Sequence, residues 1–411
     1  MIYINKRQFL SRMFKEYYIR GITEKSITSP YKIENREFAF IFWNSPGMNR
    51  HVKLTEISGL INILKKDTFR HIYISGAYYR YPDGLSMNQK EWQGMDFLID
   101  IDADHFMTSC KMKHDSWLCK ECGKEGKGPA PDKCECGGKS FQEVNWICDE
   151  CLNESKKEVI KFIDIFMSDF NISLDDILIH FSGNRGYHII ITSEEFQKID
   201  QLERREFVDY LTGIGLNLRS NGIFKTGESI TGPTRESFGW GKYIYNGVVK
   251  LISNCDNGSL KKINISKKTE EKIIKNKNAI LNELKLSRPK IKEVSANIWL
   301  KIINHVVNDI ALRIDVPVSI DLHRLIRFAN SLHGKTGFKV QQVELDKLNE
   351  YDPFTEAIAF SDNIKIKVKM KECPEFRIAD KMYGPYDQGQ KLELPLPAAI
   401  FAMCKGVADL K

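Results

Sequence analysis

Phe97-Leu-Ile-Asp100-Ile101-Asp102 is an apolar run that closes on two carboxylates one residue apart. Side chains alternate across a strand, so Asp100 and Asp102 project from one face of the sheet that holds this run. Two carboxylates so placed repel unless a proton or a cation lies between them, and at neutral pH a divalent metal is the natural solution. The competing reading is a charged strand end facing water. Asp104 continues the alternation as a weaker third candidate. Further out, Glu37-Phe-Ala-Phe-Ile-Phe-Trp43 reads as a buried strand, and Glu154–Phe170 carries Val159, Ile160, Ile163, Phe166 and Phe170 at helical spacing. Ile177–Phe181 and Tyr187–Thr192 read as two strands of a hairpin, joined by Ser182-Gly-Asn-Arg-Gly186. The expected class is α+β, with acids and glycines at strand ends.

The 411 residues carry 61 Lys+Arg against 54 Asp+Glu and are 42% hydrophobic, which excludes a disordered or collagenous chain. No run approaches the ~18 apolar residues of a membrane span, and the N-terminus lacks a signal peptide's apolar centre, so the expectation is an intracellular protein. The net charge of +7 has a location: residues 261–293 hold ten Lys and one Arg against four Glu. With Ile273, Ile274, Ile280, Leu281 and Leu284 interspersed, this stretch reads first as a solvated helix face and second as a track for a phosphate backbone.

Seven of the ten cysteines fall between Cys110 and Cys151. In a reducing compartment such clustering indicates metal rather than disulfides. Cys119-Lys-Glu-Cys122 and Cys134-Glu-Cys136, each followed by glycine, read as a four-cysteine zinc ribbon. Cys110, His114, Cys148 and Cys151 then make a second four-ligand set outside it. Both sets are closed, leaving no position for substrate, so both read as structural zinc sites.

Two further segments carry chemistry. In Ser182-Gly-Asn-Arg185-Gly-Tyr-His188 the glycines expose backbone N–H groups, Arg185 suits bidentate phosphate binding, and Ser182 and His188 can bond anionic oxygens. The spacing is not that of a P-loop. In Ile314-Asp315-Val-Pro-Val-Ser-Ile-Asp321-Leu-His-Arg324-Leu-Ile-Arg327-Phe-Ala-Asn-Ser331-Leu-His333-Gly-Lys335-Thr-Gly337 an acid at a strand start precedes basic residues at helical spacing. A polar loop with His and Lys follows, and together these suggest a polyphosphate site. Acids for divalent metal and bases for a triphosphate are the inventory of two-metal nucleotidyl transfer.

These three segments in this order closely resemble the small catalytic subunit of the archaeal and eukaryotic DNA primase. Arg36-Glu-Phe38, Met48-Asn-Arg50-His51 and Trp92-Gln-Gly94 add to a likeness that covers about residues 30–345. The resemblance implies a primase-type mixed α/β catalytic core, an inserted zinc-binding element and synthesis of short RNA primers on single-stranded DNA. It implies Asp100, Asp102 and Asp315 as acids for two Mg²⁺ or Mn²⁺ ions. Ser182, Arg185, His188, Arg327, His333 and Lys335 would bind the nucleotide, with Arg50 contributing from the N-terminal motif. The family's zinc site matches the outer set, Cys110, His114, Cys148 and Cys151. The inner ribbon of Cys119, Cys122, Cys134 and Cys136 is a departure, as is Asn184, where eukaryotic members carry a second Arg.

The implied partners are a primase large subunit in a heterodimer, single-stranded DNA template and nucleoside triphosphates, with no membrane. If the source is archaeal, the place is cytoplasmic and nucleoid-associated. A primase-like repair polymerase and a non-catalytic zinc protein that binds nucleic acid are the alternative readings. The expected division is catalytic core in 1–106, 153–200 and 301–350, a zinc insertion in 107–152, a mainly helical insertion in 201–300, and a C-terminal segment, 351–411, packing on the core.

Overall fold

Runs of β-branched and aromatic residues, buried along almost their whole length, form the strands that carry the acids and the hairpin. A computed structural model describes residues 5–23, 26–27, 29–227, 229–287 and 289–411. Its principal strands are β1 (Glu37–Phe42), β2 (Met48–Lys53), β3 (Phe69–Ser75), β4 (Phe97–Asp102), β5 (Ile177–Phe181), β6 (Gly186–Ile191), β7 (Leu325–Arg327) and β8 (Gln341–Val343). They build two four-stranded antiparallel sheets, in the orders β7-β3-β1-β2 and β8-β5-β6-β4. The chain is thus mixed α/β with several sheets. The strands expected at Glu37–Trp43 and Phe97–Asp102 and the hairpin at 177–192 are present within a residue or two.

By contact the described chain divides into two units. The first comprises 1–160, 172–205 and 314–411 and holds both sheets. The second comprises 161–171 and 206–313. Helix α1 (Asp149–Phe170) realises the helical spacing read at 154–170, starting five residues earlier. In the second unit α2 (Gly239–Ser253) and α3 (Ala296–Ile310) bury Trp240, Ile244, Val248, Trp299, Ile302 and Val306 in one apolar core. The basic stretch lies on this unit as two short helices, Lys267–Lys275 and Lys277–Leu284. Ile273, Ile280 and Leu284 are fully buried while Lys267, Lys268, Lys272 and Lys275 face solvent, the amphipathic arrangement of a solvated face. Arg288 lies outside the described residues.

The third chemical segment folds differently from its sequence expectation. Asp315 does not open a strand: it stands at the N-terminus of a short helix, α4 (Val316–Ile320), with Pro317 in its first turn. Proline there needs no hydrogen bond and presets the helical φ, which favours a helix start. Arg324 and Arg327 are not on a helix either. Leu325–Arg327 is recruited as β7 by pairing with β3, Leu325 opposite Ser75 and Arg327 opposite Tyr73. Tertiary pairing has overridden local spacing.

Helix α5 (Leu396–Cys404) buries every residue from Leu396 to Met403. This apolar helix is therefore core.

Gly186 fixes the distance between β6 and β4. A Cβ placed on it would lie 1.9 Å from the carbonyl oxygen of Ile101, a backbone atom that cannot swing away. Gly186→Ala is expected to cost at least ~1–3 kcal/mol in thermal unfolding, as overpacking against backbone does. A variant as stable as wild type would show that the two strands do not approach this closely.

Candidate active site

The register of β6 on β4 sets the site. His188 stands opposite Asp100 and Gly186 opposite Asp102, so the acids at the strand end face the hairpin turn. The Asp315 N–H donates to the Asp100 carbonyl at 2.9 Å, which brings the start of α4 beside the same strand. Asp100 is half-buried, and its carboxyl is pushed up to about 7. Burial is the main cause and the Asp102 charge the next; Asp315 adds to it, while Arg327 and Arg324 oppose it. Asp100 therefore holds a proton more readily than an ordinary carboxyl does. Among the described residues, the carboxylate oxygens of these acids do not form a set lying mutually within 4.8 Å, as the cysteine sets do.

His188 is buried, with Nε2 3.8 Å from the Asp100 carboxylate and Nδ1 without a hydrogen-bond partner among the described residues. Burial and then the positive charge of Arg327, with His180 and Arg324 adding, hold its pKa well below the ordinary histidine value. It is a neutral imidazole at working pH.

Cations collect on the other side. His333 sits fully buried in the loop after β7, its Nδ1 accepting the Lys335 N–H at 3.2 Å. Its ring meets His71 edge-on, with 5.0 Å between centroids. Thr336 donates to the Gly183 carbonyl at 2.5 Å, tying this loop to the β5–β6 turn. Burial and the charges of Arg327, Arg70 and Arg185 lower the Lys335 pKa, against a raising effect from Asp102. Burial and Arg327 likewise keep His333 well below its usual value. Arg327 also has a buried Nε without a partner among the described residues. Ser182 lies in the turn and accepts the Asn184 N–H at 3.4 Å.

Two of the residues expected to bind nucleotide are already engaged. Arg185 is 1% exposed and pairs with Asp104, with Asp115 at 3.1 Å and with the Trp146 carbonyl at 3.0 Å. Burial takes its pKa down to about 10, against a raising effect from Asp102. Asp104, the weak third metal candidate, thus faces a guanidinium. Arg50 makes a bidentate pair with Glu37 at 3.0 and 3.1 Å. Glu37 is fully buried and also accepts the His51 N–H at 3.0 Å and the Lys90 ammonium at 3.3 Å. Three groups escaped the sequence reading: Asp115, Arg70 and Lys405. Asp115 directly follows His114 and could have been suspected as the acid that orients a metal-binding histidine; nothing local marks the other two.

The cysteine sets are assembled. In the outer one Cys110 and Cys151 sulfurs are 3.4 Å apart and the His114 Nε2 is 3.3 Å from Cys148. In the inner one Cys119 and Cys136 are 3.8 Å apart and Cys122 and Cys134 3.7 Å. Tetrahedral zinc with bonds of ~2.3 Å places its sulfurs about 3.8 Å apart. The His114 Nδ1 lies 2.8 Å from the Asp115 carboxylate, the partner that fixes a ligating imidazole. Both sets could hold a metal ion.

Acids on a strand end, a neutral buried histidine and converging cations suit an enzyme that handles nucleoside triphosphates with divalent metal. A family model described as DNA primase small subunit matches residues 142–344. The DNA primase small subunit PriS of Nitrosopumilus maritimus is 30% identical over 415 residues, covering 98% of both chains. Those of Methanothrix thermoacetophila and Methanococcoides burtonii are 29% and 28% identical, over 98% and 99% of each chain. The chain belongs to the DNA primase small subunit family and is a DNA-directed primase, a nucleotidyltransferase.

Glu37 supplies a pH-dependent test of the N-terminal motif. Burial alone would raise its pKa, yet Arg50, the His51 N–H and Lys90 hold it below the ordinary carboxylate value. A lowered folded pKa gives stability that is present above the unfolded value of about 4.5 and is lost as pH falls through the folded one. Glu37→Gln, which leaves Lys90 buried without a counter-charge, is expected to cost ~3–5 kcal/mol at pH 7. The penalty relative to wild type should shrink in acid; a pH-independent difference in urea unfolding would contradict this.

Proposed function

We propose that this chain synthesises short RNA primers on single-stranded DNA, with Asp100, Asp102 and Asp315 holding two Mg²⁺ or Mn²⁺ ions. The observation that carries the reading is that Asp100 and Asp102 end one strand opposite His188, with the Asp315 N–H on the Asp100 carbonyl and the Asp100 carboxyl pushed up by burial and then by Asp102. Carboxylates that resist ionising together fit a site completed by divalent cations. Such ions, when bound, would activate the attacking hydroxyl and neutralise the leaving pyrophosphate.

The protein's own groups bind and orient. Lys335, His333 and Arg327 face the triphosphate with N–H donors, and Ser182 and the turn's backbone approach it from the hairpin. His188, neutral and buried, donates one N–H to a phosphate oxygen without adding a proton to the reaction. Arg185 reaches the phosphates by exchanging the half-exposed Asp104 for them while Asp115 keeps its other side in place. Arg50 contributes through the shape it shares with Glu37. As the new bond forms between the hydroxyl oxygen and the α-phosphorus, these donors hold the phosphate oxygens that gain charge.

The family likeness supports a primase-type core in 1–106, 153–200 and 301–350, with the zinc insertion at 107–152, the helical insertion at 201–300 and the C-terminal segment 351–411 packing on the core. Zinc suits both cysteine sets by donor type and spacing. The names of the relatives support a large subunit as partner, and their archaeal sources a cytoplasmic, nucleoid-associated place.

Purified chain, with and without a large subunit, should make short products from nucleoside triphosphates on primer-free single-stranded DNA. Asp100→Ala/Asp102→Ala should lower the yield at least ~100-fold. Products that require a supplied primer, or that survive in the double variant, would overturn the reading. Metal analysis should find two zinc ions per chain and one after Cys119→Ser/Cys122→Ser; one in both would leave the inner set structural without metal.

A further inference from the structure

Lys405 is the last residue of the C-terminal helix region, separated by about seventy residues from the third chemical segment. Helix α5, buried from Leu396 to Met403, anchors it, and its half-buried side chain runs past the Phe401 ring with Nζ 5.7 Å from the centroid. Its ammonium donates to the Asn145 carbonyl at 2.9 Å and to the Asn184 side-chain oxygen at 3.3 Å. Asn184 belongs to the β5–β6 turn, between Ser182 and Arg185.

Both acceptors are neutral, and among the described residues no carboxylate is paired with this ammonium. An ammonium has three donors, so one remains. Of the two acids that act on it, Asp115 is occupied by Arg185 and His114. Burial first, then Arg185 and Lys335, bring the Lys405 pKa down to about 7, against Asp115 and Asp102. Lys335 is itself lowered by burial and by Arg327, Arg70 and Arg185. Gathering these cations half out of water is unfavourable in the free chain and becomes favourable when a polyanion arrives.

We propose that Lys405 binds a phosphate of the incoming nucleotide beside Asn184, so that the C-terminal segment completes the triphosphate pocket. The inference rests on the nucleotidyl-transfer reading and extends it. Asn184 carries no charge to offer, and Lys405 delivers one at the same place from a distant part of the chain. The apolar helix α5 is what makes this possible, because it fixes the lysine's backbone and limits the entropy lost on binding.

Lys405→Met, Lys405→Gln and Lys405→Arg should be compared with Lys335→Met, following steady-state synthesis, melting temperature and the binding of fluorescent nucleoside triphosphate and monophosphate. Lys405→Met is expected to raise KM for nucleotide ~10–100-fold, the scale of one charge-assisted hydrogen bond, with a smaller change in kcat. Its preference for triphosphate over monophosphate should narrow, and Lys405→Arg should recover most of the loss. Lys405→Gln keeps a donor for the Asn145 carbonyl and serves if the methionine variant does not fold. A lowered melting temperature with unchanged KM and unchanged triphosphate preference would make Lys405 a structural pin and overturn the proposal. If Lys335→Met also leaves both unchanged, the triphosphate pocket itself is misplaced; if only the Lys405 variants do, that pocket stands without Lys405.

Discussion

The antiparallel pairing of Gly186–Ile191 with Phe97–Asp102 is the constraint from which the site follows. It holds only because Gly186 has no Cβ where the Ile101 carbonyl approaches. Given that approach, His188 must stand opposite Asp100, the turn 182–185 must overhang the acids, and the Ala103 N–H reaches the Arg185 carbonyl at 3.1 Å. A one-residue slip would turn the acids to the other face of the sheet and separate them from the hairpin. Every later contact, including the seating of Thr336 on Gly183, is built on this register.

Charge separation is the second layer. Asp100, Asp102 and Asp315 repel one another on one side, while Arg327, Lys335 and Lys405 crowd around a neutral His333 on the other. Arg185 differs from these cations in being paired within the chain, with Asp104 and Asp115. Asp115 joins this layer to the outer cysteine set, since the same carboxylate meets His114, the Trp146 N–H and Arg185. A metal ion held there would thus stiffen the floor beneath the nucleotide turn, as outer-shell carboxylates do around metal ligands.

Much of this was legible in the chain because it is local. Short apolar runs around a Gly-containing turn exposed the acidic strand and the hairpin, and cysteine spacing divided eight ligands into two sets that the fold does assemble. What escaped depends on partners distant in sequence. The commitment of Arg185 depends on Asp115, seventy residues earlier, and that of Arg50 on a glutamate within a strand that reads as plain core. Arg324 and Arg327 look helical by spacing, and only the free edge of β3 makes Leu325–Arg327 a strand. Lys405 had no signal at all: one lysine after an apolar helix is indistinguishable from an ordinary helix end until the helix is seen to dock.

In the proposed reaction the acids at the end of Phe97–Asp102 and the start of Val316–Ile320 bind divalent metal together with nucleotide. Manganese EPR titration of the purified chain with and without nucleoside triphosphate, in wild type and in Asp100→Asn/Asp315→Asn, measures this without requiring turnover. Nucleotide should create tight manganese binding in wild type that the double variant lacks, while both retain the same zinc content. Equal manganese binding in the two proteins would contradict the assignment.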